Sequence, residues 1–264
     1  MINLRSINRT DSDDIANIIS EKNRGVTKTS LQDLKLKIVE RYSNYIEIES
    51  NKRISPIAFT KDEKIALSSL YESKTKTAKK IINEVLDILN PNHSDRCLYC
   101  GIGEIDQIDH YLPQEHFPEF SILHKNLIPI CGKCNEIKGA NIPGANGKDY
   151  MHLVYDIIPI ESFYKCEIFY QTQIPKIVFT VLPKFVNSIL RIHFEQLKLK
   201  IRVERKAVQY SLQIKALKEQ FGIAYASEEL QRDLTKSTAF FGLFYWKTEL
   251  INKMIETDFA NSVT

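Results

Sequence analysis

The sequence predicts an α+β protein in which a small zinc-bound module is set between helical flanking regions. Three observations carry this. Two Cys-x-x-Cys pairs, Cys97/Cys100 and Cys131/Cys134, bracket 30 residues. Inside the bracket, Ile105 to Asp109 reads as a short strand, Asn126 to Ile130 as a second, and Gly132 to Gly139 as a knuckle running into a helix. On both sides of the bracket, apolar residues recur at helical spacing. The regions that follow are residues 1–92, N-terminal and helical; 93–142, the module; and 150–264, short strands followed by helices with a basic tract.

In chain order, Asp11 to Lys22 reads as a helix with Ile15, Ile18 and Ile19 on one face. Ser30 is placed to cap a second helix carrying Leu31, Leu34 and Ile38. Thr60 and Glu63 fit a capping box ahead of Ile65, Leu67 and Leu70. A further helix runs from about Thr75 to Leu89 on the stripe Ala78, Ile81, Ile82, Val85 and Leu89, and Asn90-Pro91 stops it. The module begins at about His93, and Gly101 follows the first cysteine pair, as a tight metal knuckle needs. Residues 114–125 read as irregular. Past the module, residues 140–148 form a Gly/Pro/Asn loop. Val154 to Pro159 and Glu167 to Leu182 read as strands, the latter a hairpin turning near Gln171 to Pro175.

Pro183 then opens one long helical tract whose apolar set is Ile189, Ile192, Leu197, Ile201, Val208, Leu212 and Leu217. Ser227 is placed to cap the next helix. The last helix, from about Phe240 to Ile255, carries Phe241, Phe244, Trp246 and Ile251. Between Arg191 and Lys218 stand eight Lys or Arg against two Glu, in a chain whose net charge is only +3. This makes Lys198, Lys200, Arg202 and Arg205 the candidate contacts to a phosphate backbone. The competing readings are a docking surface for an acidic partner and a solvated helix face.

Length and composition suit a soluble protein of one large domain or two small ones, with 264 residues, 43% hydrophobic and 26% charged. No apolar run approaches the ~20 residues of a membrane span, and MINLRSINRTDSDD carries no signal-peptide core. The expectation is a cytoplasmic protein without a membrane partner. In a reducing compartment the two cysteine pairs favour a metal thiolate site over disulfides. Four thiolates close a tetrahedral Zn²⁺ site and leave no open position for substrate, so the expected zinc is structural. Cys166, in an apolar stretch, reads as an inert core thiol.

Chemistry must then come from other residues of the module. His110 is the titratable group suited to act as a base near neutral pH. Asp109 and Asn135 offer hard oxygen ligands, which with water and phosphate suit Mg²⁺. Neighbours on a strand point to opposite faces, so Asp109 and His110 can serve one site only if the strand ends there and the chain turns.

Cys-x-x-Cys, then Ile-Asp-His-Tyr-Leu-Pro-Gln, then Asn-Leu-Ile-Pro-Ile-Cys-x-x-Cys-Asn-x-x-Lys-Gly resembles the HNH endonucleases, also called ββα-metal nucleases. The resemblance covers roughly residues 93–140. It implies that His110 is the general base, that Asn126 braces the loop and orients it, and that Asp109 and Asn135 bind a catalytic Mg²⁺ or Mn²⁺. It also implies that Lys138 contacts phosphate. The third signature position is Asn135 rather than His, which tilts the metal away from softer ions. Pro118-Glu-Phe120 and the Pro129-Ile-Cys131 ending look most similar to HNH proteins of bacterial antiviral systems, such as the nuclease subunit of Septu, which works with an ATPase partner. The expected function is a metal-dependent endonuclease acting on nucleic acid, DNA before RNA, in antiphage defence. The alternative is a zinc-ribbon module that binds nucleic acid or protein without cutting.

Overall fold

The computed structural model describes residues 7, 9–48, 54–73, 75–87, 96–141, 148–156, 161–170, 174–241 and 245–259. It mixes helices with two small sheets, an α+β arrangement holding a buried four-cysteine cluster. The chain divides into two compact units: Ile2–Tyr99 with Gly103–Asp156, and Cys100–Ile102 with Ile157–Thr264.

In the first unit, α1 (Asp11–Glu21) places three aspartates in its first turn, where the helix dipole favours them, and buries Ile15, Ile18 and Ile19. Helix α2 (Val26–Asn44) buries Leu31, Leu34, Ile38 and Tyr42. It starts after Gly25, so Ser30 lies inside the helix rather than capping it. At α3 (Lys61–Ser68) both bonds of the Thr60–Glu63 capping box are present. Helix α4 (Lys76–Asp87) buries Ala78, Ile81 and Val85, while Leu89, Asn90 and Pro91 lie outside the described residues.

Strand β1 (Gln107–His110) pairs antiparallel with β2 (Leu127–Ile130), from Gln107↔Ile130 to His110↔Leu127, and α5 (Gly132–Lys138) follows at once. Strand, loop, strand, helix is the order expected from the bracketed segment. The connecting loop is not loose. Two short 3-10 turns, Pro118–Phe120 and His124–Asn126, turn Phe117, Phe120, Ile122 and Leu123 into the core. Phe120 meets the rings of Tyr42 and Tyr45 at 6.0 and 5.0 Å. The stretches Ile2–Tyr99 and Gly103–Asp156 share this compact unit.

The second unit is built on β3 (Tyr164–Phe169) and β4 (Lys176–Val181), paired antiparallel from Tyr164↔Val181 to Phe169↔Lys176. The strand expected at Val154 is a turn instead, with Tyr155 and Asp156 N–H both donating to His152 O. Residues 157–160, 171–173 and 142–147, on which the rest of that strand, the hairpin turn and most of the Gly/Pro/Asn loop were expected, lie outside the described residues. The helices are α6 (Ile189–Gln196), α7 (Leu199–Phe221), α8 (Ile223–Phe241) and α9 (Trp246–Glu256). Helix α7 packs on β4 and α8, and α9 packs on β3.

The expected single basic helix is broken at Lys198, whose φ of 51° is left-handed. That break resets the helical phase. Helix α7 buries Leu199, Val203, Ala207, Tyr210 and Ile214, while Ile201 and Leu212 of the expected core face are 51% and 38% exposed. Gly222, at φ 90°, separates α7 from α8, which places Ser227 inside α8. The expected last helix is two, α8 ending at Phe241 and α9 starting at Trp246, with Phe244 outside the described residues. Cys166 is buried in β3, where burial pushes its thiol up to about 12 and keeps it protonated. Among the described residues no helix is long and apolar enough to cross a membrane.

Candidate functional site

The four sulfurs of Cys97, Cys100, Cys131 and Cys134 are buried and lie within 4.8 Å of one another. Tetrahedral ligands at the usual Zn–S distance stand about 3.8 Å apart, so small rotations let the set hold a metal such as zinc. The local backbone is shaped for this. Gly101 takes a left-handed φ of 63°, and a Cβ there would meet the Tyr245 ring at 2.6 Å. A Cβ on Gly103 would come 2.8 Å from Cys131 Sγ. Ile102 N–H donates to Cys100 Sγ at 3.4 Å, and Cys97 N–H to Gly103 O at 2.7 Å, closing the first knuckle. Cys134 and Asn135 N–H both donate to Cys131 O, which starts α5 directly out of the second.

His110 is the last residue of β1, and its ring is oriented by a backbone group. Nε2 lies 2.8 Å from Ser121 O. A carbonyl can only accept, so the proton is on Nε2 and Nδ1 keeps its lone pair. Burial pushes the imidazole down to about 4, with the neighbouring Lys138 charge acting the same way, so the ring is neutral around pH 7. Tyr71 packs edge-on against it at 4.7 Å.

Asp109 answers to different partners, as strand alternation requires. Lys138 of α5 donates to its Oδ1 at 3.0 Å and to His110 O at 2.8 Å. Burial raises the Asp109 carboxyl to about 6 against the pull of that ammonium, and lowers Lys138. Oδ2 of Asp109 is buried with no hydrogen-bond partner. An orphaned carboxylate oxygen in a buried position is a donor suited to a hard cation. Asn135, one turn before Lys138, donates through Nδ2 to Gln107 Oε1 at 2.6 Å, which leaves its carbonyl oxygen as the ligand atom. Gln107 and Asp109 share one strand face and meet Asn135 and Lys138 respectively. The resemblance implied a phosphate contact for Lys138. Its side chain is instead 1% exposed and ties α5 to β1.

Beside these residues lies an open cleft of about 570 Å³, lined by Tyr71, Leu86, Ile105, Asp106, Gln107, Ile108 and Asn135. It reaches Asn135 and also Tyr71, the ring that packs on His110. Asn126 is fully buried and makes every bond its amide allows. Its Oδ1 accepts from Leu112 N–H at 2.8 Å and Tyr45 Oη–H at 2.8 Å, and its Nδ2 donates to Leu112 O and Phe120 O, both at 3.1 Å. It therefore staples the two ends of the loop between the strands.

The basic tract is less uniform than its composition. Lys200 donates to Phe179 O at 3.0 Å and Glu204 Oε1 at 2.5 Å, and Arg202 donates to Leu197 O at 3.2 Å. Arg191 pairs with Glu195. Lys198 and Arg205 are exposed. Sequence reasoning passes over Tyr45, Tyr71, Gln107, Ser121 and His152, all drawn to the site by tertiary contacts that no local spacing announces.

No family model matches the chain, and no solved structure matches it. Among curated proteins it is similar to Protein ea31 of Escherichia phage lambda, 38% identical over 73 residues. That stretch is 27% of this chain and 25% of the phage protein, so the chain spans about a quarter of that relative's length.

Proposed function

We propose that the protein is a metal-dependent endonuclease of the HNH type, hydrolysing phosphodiester bonds of nucleic acid, DNA before RNA, as an effector of antiphage defence. The observation that carries this reading is the His110 ring: neutral, bonded through Nε2–H to Ser121 O, with Nδ1 left as an acceptor. In this mechanism Nδ1 takes a proton from the attacking water as its oxygen bonds to phosphorus. The bond to the leaving sugar oxygen breaks, and that oxygen is protonated from solvent. Ser121 O then faces an imidazolium and stabilises it. Asp109 Oδ2 and the Asn135 amide oxygen would hold Mg²⁺ or Mn²⁺. A cation there supplies charge stabilisation for the phosphorane and the leaving oxygen. Zinc on the four thiolates holds the bracket and takes no part in the chemistry. Lys198 and Arg205 are exposed cations of the basic tract that would meet a phosphate backbone.

One observation favours the non-catalytic alternative, a zinc-ribbon module that binds nucleic acid or a protein such as an ATPase subunit. Lys138 already neutralises Asp109, so a divalent ion must displace or share that ammonium. The two readings separate in a Mg²⁺ titration of cleavage. Asp109→Ala and Asn135→Ala are expected to shift the half-saturating Mg²⁺ concentration upward with little loss of zinc. Variants that respond to Mg²⁺ like wild type would remove both residues from the metal site.

A further inference from the structure

We propose that Tyr45 and His152 are positioning residues for His110, acting through Asn126; the catalytic part of this inference rests on the function proposed above. His152 is fully buried, among the rings of Tyr111 at 4.3 Å, Tyr155 at 4.7 Å and Tyr45 at 5.8 Å. Val154 N–H points at its Nδ1 at 3.3 Å, so Nδ1 is the acceptor and the proton is on Nε2. Nε2 lies 3.1 Å from Tyr45 Oη. With that lone pair receiving a proton, Tyr45 donates its own to Asn126 Oδ1 at 2.8 Å, in preference to Lys125 O at 3.4 Å. The polarity runs one way, from the Val154 amide through His152 and Tyr45 to Asn126.

Asn126 passes the constraint on. Its Nδ2 fixes Phe120 O at 3.1 Å, and the next carbonyl in the chain, Ser121 O, is the acceptor that orients His110. Ser121 Oγ is anchored in turn on Leu67 O at 2.8 Å. The direction of the His110 Nδ1 lone pair is thus set from the interior by a tyrosine that follows α2 and a histidine beyond α5. Such networks hold geometry because each buried member has one arrangement that satisfies it. Losing one donor leaves its neighbour unsatisfied and loosens the loop without touching substrate.

The test compares Tyr45→Phe, His152→Phe and His152→Gln, the last retaining an N–H where His152 Nε2 stands. Cleavage of plasmid and of single-stranded DNA oligonucleotides with Mn²⁺ is followed beside exchange of the Leu112 amide, which Asn126 Oδ1 holds. In both Phe variants kcat is expected to fall roughly ten- to a hundredfold, with KM and zinc content near wild type. Leu112 should exchange faster, and His152→Gln should restore both readouts. Wild-type rates with unchanged Leu112 exchange would overturn the relay, as would a raised KM at unchanged kcat. Should His110→Ala cut like wild type, the hydrolytic reading fails, and Leu112 exchange alone then decides whether the relay exists.

Discussion

His110→Ala is expected to slow cleavage by about 10²- to 10⁴-fold, the usual contribution of a positioned base. Zinc content and nucleic-acid binding should stay near wild type. The expectation follows from what the side chain touches. Among the described residues its side chain bonds to Ser121 O, and its ring meets Tyr71, which lines the open cleft. Ser121 keeps its own anchor on Leu67 O, so truncation removes the lone pair at Nδ1 and leaves that turn tied to α3. The acid side of the pH profile adds a second signature. Falling pH meets Asp109, near 6, before His110, near 4. The decline on that side therefore reports a carboxylate losing its ability to hold a cation. Raising Mg²⁺ should move it to lower pH, because proton and cation compete for the same oxygens. A His110→Ala protein that cuts within a few fold of wild type, measured as initial rates on plasmid DNA, would refute the assignment of the base.

The second large effect belongs to the thiolates. Cys131→Ala, or chelation of the wild type, should remove zinc and unfold the bracket rather than merely dim activity. Binding free energy at such sites is folding free energy, about 10–16 kcal/mol for zinc-finger peptides near neutral pH. That matches or exceeds the 5–15 kcal/mol that typically separates folded from unfolded domains. The chain carries its own reporter. Its single tryptophan, Trp246, donates Nε1–H to Gly101 O at 3.3 Å, and Tyr245 Oη–H donates to the same oxygen at 2.9 Å. Loss of metal should free that carbonyl and change the Trp246 emission in step with zinc release measured by elemental analysis. Native protein that contains no zinc would overturn the assignment, as would chelation that leaves both emission and folded yield unchanged.

These two expectations differ in how far the sequence could support them. The four-thiol cluster is legible because a two-residue spacer constrains both sulfurs of a pair locally, and the order of β1, β2 and α5 follows from short segments bounded by the cysteine pairs. The N-terminal stripes of α1 and α4 are legible because a helical period is local too. Legibility ends where tertiary contact decides. The phase of α7 depends on one left-handed residue, Lys198, which carries no glycine or asparagine to mark it. Helix α2 starts at Val26, not after Ser30, because burial of Leu31, Leu34, Ile38 and Tyr42 stabilises the helix without fixing where it begins. The segment 114–125 lacks a period, yet Phe117 and Phe120 are buried, Phe120 against the rings of Tyr42 and Tyr45, so aperiodic did not mean exposed. At the site, the type of each donor atom was readable from the residues themselves. The Asp109–Lys138 pair, the Gln107–Asn135 bond and the Tyr45–His152 relay were not, because each joins residues 28 or more positions apart.

The most direct test of the central claim is cleavage by the purified, zinc-loaded protein. Supercoiled plasmid, single-stranded DNA, double-stranded RNA and single-stranded RNA are each incubated with Mg²⁺, with Mn²⁺ and with EDTA. The proposed function predicts endonucleolytic products on at least the DNA substrates that need the added divalent ion and vanish with His110→Ala. Intact substrates under every metal condition, from protein that is folded and carries zinc, would contradict it.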